Sequence, residues 1–170
     1  MASLTARRGR RRGPGPASGR PPVRQAEGER IQLAGILTGA SAWDSGNMVR
    51  CMIVDDCPEF LRAARSLLEG QGMTVVGVAS NGLQALRQAR QFRPDVALVD
   101  IDLGGECGLE LAGRLRRETG PSPPLVVLVS IHAEDDYAGM IEGSVAVGFL
   151  AKTDLSGNAI RALLAEWGSP

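Results

Sequence analysis

The sequence predicts an α/β fold, a doubly wound parallel sheet preceded by a disordered tail, and three observations carry that expectation. From residue 49 onward, short apolar runs alternate strictly with amphipathic segments, five times over. The apolar runs are rich in Val, Ile and Leu with little polar alternation, the pattern of strands covered on both faces by helices. Finally, the zero net charge of the 170-residue chain is a sum of unlike parts. Residues 1–47 hold eight arginines and three acids, a net +5, whereas residues 48–170 carry a net −5.

Residues 1–30 are filled with Arg, Gly and Pro and contain almost no large apolar group. Such a segment buries too little surface to offset its chain entropy and is expected to be disordered. The Arg7–Arg12 cluster lacks the interleaved aromatics of a base-stacking platform, so nucleic-acid binding is expected only if this tail supplies it. The stretch around LAGILTG and Ala40-Ser41-Ala42 imitates a signal peptide, but Glu27, Glu29 and Gln32 interrupt the imitation. Residues 1–47 therefore read as an upstream extension and residues 48–168 as the working domain, with no output domain.

The elements follow in order. VRCMIV (49–54) reads as the first strand, and PEFLRAARSLLEGQ (58–71) as the first helix, with Pro58 suited to its opening turn and Gly72 to its stop. TVVGVA (74–79) and GLQALRQARQF (82–92) form the second pair, DVALV (95–99) and GLELAGRLRRE (108–118) the third. PLVVLV (124–129) precedes a fourth helix over EDDYAGMIE (134–142). VGFLA (147–151) and GNAIRALLAEW (157–167) close the series. Tyr137 and Trp167 are expected to pack, the latter anchoring the last helix.

Ligand sites in such sheets lie beyond the carboxyl ends of the strands. Those positions hold Asp55-Asp56, Asp100, Ser130 and Lys152, the last being the only lysine in the chain. No Gly-rich phosphate loop follows the first strand, which disfavours dinucleotide and P-loop chemistry. Three clustered carboxylates repel one another unless a cation sits among them, and an all-oxygen donor set favours Mg²⁺. One aspartate could then attack phosphorus, with a hydroxyl and an ammonium neutralising the transferred oxygens. The single histidine rules out a multi-histidine metal centre, and three cysteines without CxxC spacing argue against a zinc site or disulfide scaffold. Cys57 and Cys107 fall on loops near the same edge, where burial as small hydrophobes is the commoner role. No run approaches the roughly 20 apolar residues of a membrane span, and a cytoplasmic protein is expected.

The motifs MIVDD (52–56), VALVDIDLGGECG (96–108), LVVLVS (125–130) and GFLAKTDLS (148–156) resemble those of the receiver domains of two-component response regulators, over about residues 48–167. The resemblance implies a flavodoxin-like five-stranded sheet of strand order 2-1-3-4-5. It implies that Asp100 is the phosphoacceptor and that Asp55, Asp56, Asp100 and the backbone carbonyl of Asp102 hold Mg²⁺. Ser130 and Lys152 would hold the phosphoryl oxygens, and Phe149 would be the aromatic that turns inward as Ser130 moves. The phosphoryl donor would be a sensor histidine kinase or histidine phosphotransfer protein. The output would be a downstream protein contact or a homodimer through the fourth helix, fifth strand and fifth helix.

Some positions depart from the family's pattern. Ser130 replaces a frequent Thr, Ile131 a small residue, and Thr153 a frequent Pro. Asp102 and His132 would flank an attacking water and tune phosphoryl lifetime. Three alternatives remain. Asp100-Ile101-Asp102 resembles the nucleophile motif of haloacid-dehalogenase-type phosphatases, but there the motif precedes the acidic pair. The others are a phosphorylation-silent interaction module and the receiver of a DNA-binding regulator lacking its output domain.

Overall fold

The computed structural model describes residues 48–168; the expectations for residues 1–47 lie outside the described residues. Five strands form one parallel sheet: β1 (Arg50–Val54), β2 (Thr74–Ala79), β3 (Val96–Asp100), β6 (Leu125–Ser130) and β7 (Gly148–Ala151). Their order is β2-β1-β3-β6-β7, the expected 2-1-3-4-5 once the short hairpin of β4 (Asp102–Leu103) and β5 (Glu106–Cys107) is set aside. The helices are α1 (Pro58–Gly70), α2 (Gly82–Phe92), α3 (Gly108–Glu118), α4 (Ala138–Glu142) and α5 (Gly157–Gly168).

Both sheet faces are buried, which explains the continuous apolar runs. Cys51, Ile53, Leu98 and Val127 point to the face covered by Ala64 and Leu68 of α1 and by Ile160 and Leu164 of α5. Met52, Val54, Val99 and Leu128 point to the opposite face, against Leu86 of α2 and Leu111 and Leu115 of α3. Cys51 is fully buried, and burial followed by the nearby Asp95 charge pushes its thiol up to about 12, so it behaves as a small hydrophobe.

Local chemistry sets the helix ends. Pro58 opens α1 where no backbone N–H is needed. Beyond its end Gly72 takes φ +78°, while its N–H reaches back to Glu69 and that of Met73 to Leu68. The Asn81 side chain caps α2 by accepting from the Gln84 N–H at 2.9 Å. At the other end Arg93 is left-handed (φ 46°), and the Arg50 guanidinium donates to the Phe92 and Arg93 carbonyls.

Three expectations are corrected. The fourth helix is a 3₁₀ turn over Glu134–Asp136 followed by the five-residue α4, because Gly139 and Gly143 lower helix propensity in a segment too short to offset it. Trp167 is 45% exposed and does not anchor α5; the buried face of that helix is Gly157, Ile160 and Leu164. Cys57 and Cys107 are exposed, since each precedes the first turn of a helix at the rim of the sheet. Tyr137, by contrast, is half-buried against the core, as expected. Among the described residues no helix is long and apolar enough to cross a membrane.

Candidate phosphoacceptor site

Parallel strands end together, and their last residues bring the site to one edge. Asp55 follows β1 and is fully buried, its N–H held by the Ala79 carbonyl at 3.0 Å. One of its oxygens, Oδ1, accepts from the Cys57 N–H at 2.9 Å. Asp56 is exposed beside it. Asp100 ends β3 at 6% exposure and Ser130 ends β6 at 3%. Lys152 opens the 3₁₀ turn Lys152–Asp154 that follows β7; every peptide bond among the described residues is trans, including the one leading to Thr153.

The ammonium of Lys152 binds two carboxylates at once, Asp100 Oδ2 at 2.7 Å and Asp55 Oδ2 at 2.5 Å. Burial raises the Asp100 pKa, the hydrogen bond and charge of Lys152 pull it back, and the neighbouring Asp55 charge pushes it up again; the net direction is upward. Burial works against the Lys152 ammonium, yet its bonds to Asp100 and Asp55 outweigh that cost and raise its pKa. Lys152 is therefore a firmly charged group held against the central acid.

Oxygens of Asp55, Asp56 and Asp100 lie within 4.8 Å of one another, a donor set suited to a hard divalent cation. Asp55 Oδ2 is buried and, apart from the ion pair with Lys152, has no hydrogen-bond donor among the described residues. A buried carboxylate oxygen in this condition fits a cation between the acids better than an apolar enclosure would.

A cleft of about 540 Å³ opens onto this cluster, with Asp100, Asp102, Ser130, His132 and Lys152 in its walls. Asp102 is exposed in β4, and its N–H approaches Asp100 Oδ1 at 3.3 Å. His132 is exposed, donates its N–H to Ser130 Oγ at 3.1 Å, and places its ring 6.3 Å from that of Tyr137. Ile131 stands 76% exposed in the same wall. Phe149 is set apart from the cleft: it lies in β7 at 9% exposure, packed into the core cluster on the α2 and α3 face.

Three features escaped the sequence reading. Phe60 of α1 lines the cleft with its ring centroid 4.5 Å from Lys152 Nζ. Its spacing of one helical turn after Asp56 was the available signal. The exposed Glu106 of β5 accepts the Gly82 N–H at 2.6 Å, tying the hairpin after Asp100 to the first turn of α2. Gly108 packs directly on the main chain of Asp100, with no room for a side chain.

Known proteins resemble this chain in sequence and in fold. The family model described as the response regulator receiver domain matches residues 51–164. The response regulator GacA of Pseudomonas viridiflava is 34% identical over 108 residues, 62% of this chain and 49% of that protein. The transcriptional regulatory protein LiaR of Bacillus subtilis is 33% identical over 127 residues, 72% of this chain and 58% of that protein. A protein-glutamate methylesterase/protein-glutamine glutaminase of Natronomonas pharaonis is 38% identical over 106 residues, 59% of this chain and 29% of that protein. The chain thus spans about half or less of the length of most of these relatives. Among solved structures, a two-component response regulator of the LuxR family from Aurantimonas superposes with a TM-score of 0.62 at 28% identity, covering 71% of this chain and 87% of that one. The response regulator domain of Thermotoga maritima CheB gives 0.55 at 28%, covering 72% and 94%. With the matched segment running from β1 into α5 and holding every strand-end residue of the site, the chain belongs to the response regulator receiver domain family.

Proposed function

We propose that residues 48–168 form a phosphorylation switch that accepts a phosphoryl group on Asp100 from a sensor histidine kinase or histidine phosphotransfer protein. The observation that carries this reading is the double contact of Lys152 with Asp100 and Asp55 beside a third carboxylate, Asp56. Asp55, Asp56, Asp100 and the Asp102 backbone carbonyl would hold Mg²⁺, which when bound supplies positive charge to the transferred phosphoryl oxygens.

The chain's own groups do the rest. A carboxylate oxygen of Asp100 attacks phosphorus; the P–N bond to the donor imidazole breaks as the P–O bond forms, and the imidazole keeps the electron pair. Lys152 holds the carboxylate in place beforehand and turns to a phosphoryl oxygen afterwards, a short move for a charge already at 2.7 Å. Ser130 Oγ offers a second hydrogen bond to the phosphoryl group. Its shift, with Phe149 of the neighbouring strand, carries the change to the surface of α4, β7 and α5, where a downstream protein or a second copy would bind. Asp102 and His132 flank the route of the hydrolytic water and set the lifetime of the acyl phosphate.

Incubation with Mg²⁺ and acetyl phosphate, followed by intact-mass analysis, tests the reading. One added phosphoryl group, absent in Asp100→Asn, is expected. No addition from acetyl phosphate or from a phosphorylated histidine phosphotransfer protein would leave an interaction module instead. A second reading is favoured by the name of the relative LiaR: the domain serves as the receiver of a transcriptional regulator. Salt-dependent DNA binding by the native protein that changes on phosphorylation would support it.

A further inference from the structure

Among the described residues the Lys152 ammonium has three close neighbours, and they differ in kind. Two are the carboxylates of Asp100 and Asp55, at 2.7 and 2.5 Å. The third is the face of the Phe60 ring, with its centroid 4.5 Å away, well inside the range of cation–π attraction. Phe60 is half-buried, and its ring packs against the core cluster on the α1 and α5 face. The residue thus packs on the core and lines the cleft.

That difference in kind matters through the phosphorylation cycle. Both carboxylates are claimed by other charges when a cation or a phosphoryl group arrives, so their hold on the ammonium changes. The ring carries no titratable charge, and its attraction for Lys152 persists at every stage. Lysine is a flexible four-carbon stem with a point charge, and it keeps one geometry only where something fixes its end.

We propose that Phe60 is a positioning residue for phosphoryl transfer: its ring face keeps the Lys152 ammonium over the phosphoacceptor while the carboxylates exchange partners. This role rests on Asp100 being the phosphoacceptor. The ring acts through Lys152 and touches no reacting atom.

The test replaces Phe60 with mono-, di- and trifluorophenylalanine, which weaken the ring's negative face while nearly preserving its shape. Phosphorylation by acetyl phosphate with Mg²⁺ is timed by intact mass, and thermal melting is recorded for each protein. The rate is expected to fall stepwise with fluorine count, by about 3- to 30-fold across the series, with melting unchanged. Because Lys152 is the only lysine, isotope-labelled lysine gives a single ε-methylene NMR signal in the metal-free protein. That signal is expected upfield through the ring current, moving downfield in Phe60→Leu and staying in Phe60→Tyr. A wild type that is phosphorylated normally, with flat rates across the series, overturns the role of Phe60 alone. An ε-methylene signal that does not move in Phe60→Leu overturns it as well. A wild type that gains no phosphoryl group from acetyl phosphate or a phosphohistidine donor overturns the phosphoacceptor reading and this role with it.

Discussion

Gly108 offers the sharpest test of how the fold holds Asp100 in place. A Cβ at this position would stand 1.9 Å from the Asp100 carbonyl oxygen, 2.8 Å from its carbon and 2.9 Å from Ile101 Cα. Carbon and oxygen approach comfortably no closer than about 3.3 Å, so Gly108→Ala demands a displacement of roughly 1.4 Å. The β3 side cannot give, because the Ile101 N–H is bonded to the Val129 carbonyl of the neighbouring strand at 3.0 Å. Helix α3 must move instead, losing the 2.8 Å bond from the Gly108 N–H to Ile101 and loosening Leu111 and Leu115 in the core. The lost bond costs about 1 kcal/mol and the repacking about 2–3 kcal/mol, together about 3–4 kcal/mol. For a domain of this size that is a fall in Tm of about 10–15 °C. Urea and thermal unfolding of residues 48–168 measure it, and phosphorylation of the folded fraction should slow because the Asp100 main chain is displaced. Gly70→Ala is the control: no described residue lies within 4 Å of its Cβ position, and the change should be neutral or stabilising by up to about 1 kcal/mol. A Gly108→Ala protein within 1 kcal/mol of wild type would refute the packing argument.

Three further outcomes follow from the same geometry. In the metal-free domain, Asp100→Asn should be more stable than wild type near neutral pH. The Asp100 pKa is raised on folding, so its ionised form opposes folding above that pKa, and the gap should close as pH falls through it in paired urea titrations. Lys152→Met leaves the fully buried Asp55 charge uncompensated and should cost about 3–5 kcal/mol without metal. Mg²⁺ should restore more of the thermal stability of that variant than of wild type; an equal gain would contradict the shared-site account. Glu106→Ala removes the carboxylate on the Gly82 N–H and should cost about 1 kcal/mol. It should also raise hydrogen exchange at the Gly82 amide; unchanged exchange there would show that the hairpin is held by other means.

Much of this was legible from the chain. The strand-end rule located Asp55, Asp56, Asp100, Ser130 and Lys152, and the fold brings all five to one edge. Apolar runs do encode a sheet covered on both faces, because period and burial act on each residue independently. The remainder depends on distances between elements. Nothing in the spacing of GGECG shows that Gly108 abuts the Asp100 carbonyl, nor that Glu106 reaches α2, since both contacts cross from one layer to another. Phe60 is an apolar residue of α1 like its neighbours in the core, and only the fold shows that the face of its ring meets Lys152. The exposure of Trp167 and the shortness of α4 arise where the sheet ends and helix propensity meets little tertiary support.

The proposed acyl phosphate on Asp100 can be read directly. Treatment with Mg²⁺ and acetyl phosphate, then borohydride reduction and peptide mass spectrometry, reads it residue by residue, because reduction converts an aspartyl phosphate to homoserine. Homoserine is expected in place of Asp100, with Asp55, Asp56 and Asp102 unmodified. Reduction at any of those three, with Asp100 intact, would contradict the proposal.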